Sequence, residues 1–521
     1  MTLSPVDLAS ESSGQTASSP TVSTPVAWTI AGSDSCAGAG IQADIKTMQG
    51  LSVYCASVIT SVTAQNTRNV FDLSNMSAHI VAAQLNALND DMPPAAIKIG
   101  MVGSAEIAET VAKILSTSDR SIVYDPVMVA TSGDALIDGG ALSVARSRLV
   151  PLATVVTPNW SEAHVLAERE YTYQLHLDAD NLEPYVEALA RDILARGARS
   201  VLLKGGHLNE SSEFVQDFWT DGTSKAWLTS HRQFARHTHG TGCTLSSAIA
   251  AGLASGLEIL DAIVMAKAYV NQALRLAPQI GLGRGPLAHL PAQFANSDLP
   301  WLTQSAANGL CRPQFYRDDA IGFYPVVPDS DWVERVASAG ARTVQLRIKN
   351  KPLAEIERQI ALSVEIAKRY GCKLYVNDFW ELAVAYGAFG VHLGQEDILQ
   401  ADVESLSRAG LRLGVSTHCY SEVARALAVQ PSYIAIGPIF PTTTKVMKFS
   451  PQGFDGLSKW ANMLDYPLVA IGGITLDLAC AALRAGASGV AVVRDVIDNS
   501  EPAARVRQWI QQLAQPLESR S

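Results

Sequence analysis

The sequence predicts two α/β units in series: an open parallel sheet covered by helices, then a closed (β/α)8 barrel. Three observations predict this. The chain has 521 residues, more than one domain holds at ~100–200 residues each. From Ala27 to about Pro300, short β-branched apolar runs alternate with helical patterns, as in a parallel sheet with helical crossovers. From Gly322 onward, eight further runs follow in about 190 residues, the repeat of a compact barrel. Periodicity alone leaves a second open sheet as the alternative to closure.

In chain order, residues 1–26 are rich in Ser and Thr with interspersed Pro, and are predicted to be a disordered tail. The first basic residue is Lys46, so neither the basic start of a secretory signal nor the arginines of a transit peptide are present. Residues 27–300 form the first unit, with strands expected at Ala27–Ala31, Val53–Ile59, Ala96–Ile99, Ser121–Tyr124, Thr154–Val156 and Ser200–Leu203. Helical patterns such as Ile80–Leu88 and Glu106–Leu115 lie between them. Residues 301–320 fit neither pattern and are read as the linker. Residues 321–515 form the barrel. Its strands are expected at Gly322–Val327, Thr343–Ile348, Lys373–Val376, Gly390–Leu393, Arg412–Val415, Tyr433–Ile436, Leu468–Ile471 and Gly489–Val493.

Composition narrows the function. With 48% hydrophobic and 17% charged residues, both units can build cores. Forty basic against fifty acidic residues give a formal charge of -10, which argues against nucleic-acid or anionic-membrane partners but leaves room for local phosphate pockets. The charge-free run Thr47–Thr67 carries Gln, Asn, Ser and Thr throughout and does not read as a membrane span. Seven scattered cysteines with no CxxC or Cys/His cluster argue against a disulfide framework or structural zinc, and fit a reducing, cytoplasmic location.

In a barrel, polar residues just after each strand converge on one face. Gln345, Arg347 and Lys349 alternate with Val344, Leu346 and Ile348, so the polar three face the mouth. Asp378 and Asp397 end adjacent strands. Either alone reads as a helix N-cap; together, beside Arg347, Lys349 and Lys445, they suit Mg2+ and a diphosphate. Thr442, Thr443 and Thr444, with Gly472 and Gly473, offer donors for a smaller phosphate.

In the first unit, Gly32–Asp44 follows the first strand and is built of small residues, but it lacks the dinucleotide spacing, and the chain has no Walker-type loop. His239-Gly240-Thr241-Gly242-Cys243-Thr244 leads into an apolar helix whose first N–H groups would form an anion hole, with Cys243 where a thiolate is favoured. Lys98, Asp125, Asn159, Glu162 and Lys204 follow predicted strands or lie at their ends and point to one crevice. The set suits phosphoryl transfer from ATP with Mg2+.

These residues carry two resemblances. The motifs QLRIK (345–349), ND (377–378), HLGQED (392–397), GVSTH (414–418), GPIFPTTTK (437–445) and AIGGI (470–474) resemble those of thiamine-phosphate synthases, in the family's order across 321–498. The resemblance implies a TIM barrel that joins hydroxymethylpyrimidine diphosphate to thiazole phosphate with release of diphosphate. By motif match, Asp378 and Asp397 would hold Mg2+. Gln345, Arg347, Lys349, Asn377, Ser416 and Lys445 would bind the pyrimidine diphosphate, with Arg347 and Lys445 also catalytic, and Thr442–Thr444 and Gly473 would bind the thiazole phosphate. Val446–Phe449 departs from the family pattern.

Residues 28–290 resemble the hydroxymethylpyrimidine/phosphomethylpyrimidine kinases of the ribokinase-like fold, through AGSDSCAGAGIQADIKT (31–47), VTAQNT (62–67), KIGM (98–101), DPVM (125–128), TPNWSEA (157–163), KGGH (204–207) and HGTGCTLSSAIAA (239–251). Two successive ATP-dependent phosphorylations are implied. Gln65 would bind the pyrimidine. Lys204, Asn159 and Glu162 would serve nucleotide and Mg2+, and Gly240, Gly242 and Cys243 would cradle the transferred phosphate. Cys243 stands either as a base or as a member of that anion hole. Cys36-Ala37 replaces two glycines. The two halves would then share an intermediate. Loss of activity in one half, or a pyridoxal-type side activity in the first, are the competing readings. Partners are small molecules, and both families often form homo-oligomers, although no stretch of this sequence marks an interface.

Overall fold

The computed structural model describes residues 24–514, apart from 129–136, 171–178, 207–211, 234, 236, 311, 320 and 443–448. The first sheet contains β1 (Val26–Asp34), β2 (Tyr54–Gln65), β3 (Val70–Asn75), β4 (Ala96–Ile99), β5 (Ser121–Tyr124), β6 (Val155–Val156), β7 (Val201–Leu203), β8 (Phe214–Thr220), β9 (Lys225–His231) and β10 (Trp301–Thr303). Its order is β10-β9-β8-β7-β6-β5-β4-β1-β2-β3, and β7 through β2 of that order run parallel. Helices covering both faces bury the central strands, and all four residues of β4 are buried, Lys98 among them. The helices that matter below are α1 (Gly40–Gly50), α2 (Trp160–Ala167), α3 (Thr241–Ala254), α4 (Ile259–Arg275) and the short α5 (Ala306–Leu310). α4 is buried continuously from Asp261 to Ala273, and its polar residues Lys267, Asn271 and Gln272 are hydrogen-bonded within the core.

The barrel strands are β11 (Gly322–Val327), β12 (Thr343–Leu346), β13 (Lys373–Asn377), β14 (Gly390–Leu393), β15 (Arg412–Thr417), β16 (Tyr433–Ile436), β17 (Leu468–Ile471) and β18 (Gly489–Val492). All pair in parallel and in sequence order, and β18 pairs with β11, so the sheet closes and the open alternative is excluded. Every expected barrel run is a strand, with ends displaced by at most two residues. Val344, Leu346 and Ile348 pack in the layer between strands and helices, while Gln345 points inward to Tyr324.

Two expectations need correction. β3, β8 and β9 pair antiparallel, where the alternating pattern predicts a parallel sheet throughout. β8 and β9 form a hairpin whose Asp221-Gly222 turn is fixed by Asp221 accepting the N–H groups of Thr223 and Ser224. Residues 301–310 are not linker. β10 pairs antiparallel with β9 and completes the first sheet, and α5 packs over β9 and β10. Beyond it, Arg312 stacks on Trp301 at 3.9 Å and donates to the Leu427 carbonyl at 3.1 Å. Phe315 and Asp318 donate backbone N–H groups to Gln430 and Ser432. The connection is therefore pinned to the barrel almost as soon as it leaves the sheet. The two halves meet where α4 and β10 pack on α6 (Tyr420–Ala428).

Candidate functional site

In the first half, two Gly-rich loops meet at the carboxyl ends of the parallel strands. Asp34 ends β1 and accepts N–H groups from Cys36, Gly38 and Ala39, which fixes the loop leading to α1. Its Oδ2 also lies 2.9 Å from His239 Nε2 and 3.3 Å from Cys36 Sγ. Asp34 and Cys36 thus form a close polar cluster with His239, about two hundred residues away, where the sequence shows no Cys/His grouping. Burial opposes ionisation of Asp34, but His239 and the N–H groups of Cys36 and Ala39 outweigh it and hold its pKa down to about 2. Burial likewise opposes charge on His239, but Asp34 and Cys36 outweigh it and raise the ring to about 9. Packing is close: a Cβ on Gly240, at φ +83, would meet the Gly38 carbonyl at 1.9 Å, so only glycine fits. Ala37, one of the two departures, takes φ 60, which glycine adopts freely and alanine at about 1 kcal/mol.

Gln65 lies beside this cluster. Its Nε2 is 3.3 Å from His239 Nε2, its Oε1 accepts from Thr63, and it lines a cavity of about 320 Å3 with His239, Asn66 and Arg284. Deeper in the crevice, Lys204 Nζ lies 2.9 Å from Asp125 Oδ1 and 3.9 Å from Glu162 Oε2. Asp125 also accepts from Thr157 and Ser246. Burial opposes its charge, but Lys204 and Lys98 hold it ionised. Burial raises the Glu162 carboxyl, with Lys204 opposing and Asp125 reinforcing. Gly242 abuts this group: a Cβ there would lie 3.3 Å from Lys204 Nζ and 3.5 Å from Asp125 Oδ2. The start of α3, Lys204, Asp125 and Glu162 are thus one constellation. Asn159 caps α2 and forms a capping box with Glu162, so both side chains also fix the local helix start.

The thiolate expected at Cys243 is not favoured. Burial pushes the thiol up to about 11, with Asp44 and Asp125 reinforcing and Lys98 opposing, so the group is a neutral thiol near pH 7. Beneath it lies the fully buried pair Lys98–Asp44 at 2.8 Å, whose Asp44 also accepts from Thr29 and Ser247. Sequence reasoning quoted Asp34, Asp44 and His239 only inside motifs. Their roles come from contacts across more than two hundred residues, which no local pattern reveals.

In the barrel, Asp378 follows β13 with φ 67, and its Oδ2 lies 2.7 Å from Lys349 Nζ. The Asp397 carboxyl feels Asp378 electrostatically. Burial first, and then Asp378, raises its pKa. Two carboxyls pressed together in this way need a shared proton or cation, and a hard divalent ion fits them. Arg347 and Lys349 line a cavity of about 390 Å3 with Pro328, Lys351 and Val493. Asn377 is buried at the end of β13. Ser416 Oγ lies 2.8 Å from His392 Nε2, and His392 Nδ1 lies 2.8 Å from the Tyr433 hydroxyl. The Tyr433 hydroxyl meets that of Tyr324, to which Gln345 donates at 3.2 Å. Burial drops the His392 pKa to about 4, with Arg347 adding to the drop and Asp378 opposing it, so the ring stays neutral. His392, inside the quoted HLGQED motif, was missed. The alternation of β14, which aims it inward with Gly390, was the available signal.

Gly472 and Gly473 have φ 99 and 65, and a Cβ on Gly473 would lie 2.6 Å from the Pro441 carbonyl. That close approach brings Gly473 against the segment leading to Thr442. Thr443, Thr444 and Lys445 lie outside the described residues, as does His207. Phe449, the described end of the 446–449 departure, stacks on His418 at 4.7 Å.

A family model described as phosphomethylpyrimidine kinase matches residues 34–288, and one described as thiamine monophosphate synthase matches residues 324–496. The chain is 37% identical over 490 residues to the chloroplastic thiamine biosynthetic bifunctional enzyme of Arabidopsis thaliana, covering 91% of this chain and 90% of that protein. Over 268 residues it is 47% identical to the hydroxymethylpyrimidine/phosphomethylpyrimidine kinase of Rhizobium meliloti, covering 51% of this chain and 97% of that one. Over 174 residues it is 53% identical to the thiamine-phosphate synthase of Cronobacter sakazakii, covering 33% of this chain and 83% of that one. Among solved structures, the Staphylococcus aureus pyridoxal kinase in complex with ADP matches with a TM-score of 0.46 and 32% identity, covering 52% of this chain and 94% of that one. Among the described residues, no helix is long and apolar enough to cross a membrane.

Proposed function

This chain belongs to the bifunctional thiamine biosynthetic enzymes, a phosphomethylpyrimidine kinase joined to a thiamine-phosphate synthase, and from that premise we propose how its residues divide the work. In the kinase half, Gln65 reads the pyrimidine at the cavity it shares with His239. The N–H groups of Gly240–Cys243 and the start of α3 receive the phosphate in flight, with Lys204 beside them to balance its charge. ATP is the donor. Glu162, Asn159 and the Asp125–Lys204 pair serve the nucleotide, and Mg2+ suits this acidic group because its charge would offset the cost of ionising the buried Glu162. Cys243 contributes its N–H rather than a base, since its thiol keeps its proton.

In the synthase half, the pyrimidine diphosphate loses diphosphate and the thiazole nitrogen attacks the resulting methyl cation. Asp378 and Asp397 would hold Mg2+, which would supply positive charge to the departing diphosphate. Arg347 and Lys349 grip the same group from the cavity wall, and Lys445 joins them. Gln345, Asn377 and Ser416 hold the pyrimidine, and neutral His392 orients the Ser416 hydroxyl. Thr442–Thr444 and Gly473 receive the thiazole phosphate. The six described cysteines are free thiols, which supports a reducing compartment, proposed here as the cytoplasm.

The observation that carries this reading is the pairing, in one chain, of a lysine-flanked helix N-terminus with a twin-carboxylate barrel mouth. The first makes a diphosphate and the second removes one. The test is a coupled assay supplied with hydroxymethylpyrimidine, ATP, Mg2+ and thiazole phosphate. Thiamine phosphate is the expected product. Product formed only from ready-made pyrimidine diphosphate would reduce the first half to a binding module.

A further inference from the structure

We infer that the kinase half is a working part of the synthase site: it caps the barrel helix that positions the pyrimidine-diphosphate pocket. The helix is α6. Its own N-cap residue, Cys419, makes no side-chain cap. The missing acceptor comes from the other half of the molecule. Asp261, in the first turn of α4, accepts the N–H of Ser421 at 2.7 Å across the junction. Asp261 is 7% exposed, so this bond forms out of water. A carboxylate at that position also complements the positive end of the α6 dipole. The opposite end is held from the same side: Arg312, stacked on Trp301 of β10, donates to the Leu427 carbonyl in the last turn.

What α6 carries gives the capping a consequence. Arg425 Nη1 donates to Gln395 Oε1 at 2.5 Å, and Gln395 Nε2 donates to the Ser416 carbonyl at 2.7 Å. Ser416 is the residue whose hydroxyl meets His392 in the pocket. At the helix start, Glu422 accepts both the backbone N–H and the ring Nδ1 of His418, two residues beyond Ser416. The end of β15 and the loop after it are therefore tied to α6 twice, directly through Glu422 and by way of Gln395, and α6 is held at its start by the kinase half and at its end by the connection stacked on β10. Asp261 also faces Arg425, which is largely withdrawn from water and draws further on Glu422. Asp261 touches no substrate. It is a positioning residue, acting through Ser421, α6, Arg425 and Gln395 on Ser416. The inference rests on the synthase reading of the barrel, and the experiment separates the two.

The experiment uses the full chain, measuring synthase kinetics with supplied pyrimidine diphosphate and, separately, the kinase rate. Asp261→Ala is expected to raise the synthase KM for pyrimidine diphosphate roughly 3- to 10-fold, the usual worth of a lost cap, and to leave the kinase rate unchanged. Asp261→Asn, which keeps an acceptor, should stay within about twofold of the parent. The decisive arm is Asp261→Ala combined with Cys419→Ser. The serine supplies a cap from within α6 and should return the KM toward the parent value while the junction stays altered. An unchanged KM in Asp261→Ala overturns the proposal. So does a raised KM that Cys419→Ser fails to restore, since the loss then reflects general damage to the interface. Absence of synthase activity in the parent chain would instead overturn the reading of the barrel.

Discussion

The two halves handle charge in opposite ways. The kinase half sinks ion pairs into its centre: Lys98 and Asp44 are both fully buried, and Lys204 with Asp125 and Lys267 with Asp217 are nearly so. The barrel interior is instead lined by neutral groups: Tyr324, Tyr433, His392 and Gln345 are joined by hydrogen bonds, and Tyr375 donates to Asp318, just before β11. Apart from the Asp318–Lys373 pair at the opposite end, the charges of its site stand at the mouth, where the Lys349 side chain is 49% exposed against Asp378. Phosphoryl transfer gains from charges fixed in advance and kept from water. A site that releases diphosphate gains from charges that a hydrated metal and its cargo can reach. The difference shows that handling phosphate does not require one electrostatic design.

The sharpest way to break this comparison is at the barrel mouth. Asp397→Ala removes half of the carboxyl pair and should cut synthase turnover on the order of 1000-fold, since metal-borne charge stabilisation is worth several kcal/mol. The kinase should continue, so pyrimidine diphosphate should accumulate, as chromatography of the reaction would show. Equal loss of both activities would mean that the halves do not work independently.

A second test concerns the buried charge of the kinase half. The His239 pKa is raised to about 9 by Asp34 and Cys36 against burial, so its contribution to stability is complete below about pH 6.5 and disappears as the pH climbs to about 9. Asp34, held down to about 2, contributes above about pH 4 and loses that contribution as the pH falls toward 2. Calorimetric unfolding of the kinase half should therefore show a plateau between about pH 4 and 6.5, and then a decline of at most about 3 kcal/mol by pH 9. His239→Gln should flatten the alkaline limb and shrink the acid limb, leaving the part of it that the Cys36 and Ala39 N–H groups maintain. The smallest expected effect is at Cys243. Cys243→Ser keeps the backbone N–H, and the kinase rate should fall by less than about tenfold. Alkylation of this thiol should accelerate only toward pH 11. Loss of activity near that of a nucleophile knockout would restore Cys243 as a base.

The barrel was legible because each of its strands is a short apolar run, bounded by the polar residues that make the site. Asp378, Asp397, Gln345 and Ser416 sit where those runs end. The open sheet was less legible at its antiparallel edge, where strands such as Lys225–His231 mix charged and polar residues with apolar ones. His392 escaped notice because a buried neutral histidine and a core residue look alike in sequence, and only Ser416 and Tyr433 beside it distinguish them. The Asp34–His239 contact was beyond reach for another reason. Two loops separated by most of a domain must be folded before they become neighbours.

Strand β10 has a practical consequence for anyone who would separate the two activities. A cut at residue 300, where composition invites it, strips the last strand from the first sheet and bares the hydrogen-bonding edge of β9, an invitation to aggregate. It also leaves the released barrel carrying Trp301 as an orphaned apolar side chain. A cut after α5 keeps the sheet whole but still divides Arg312 from its stacking partner. Among its described residues the connection is held against both halves, and a split-gene version would need a new junction designed for both edges rather than a simple pair of scissors.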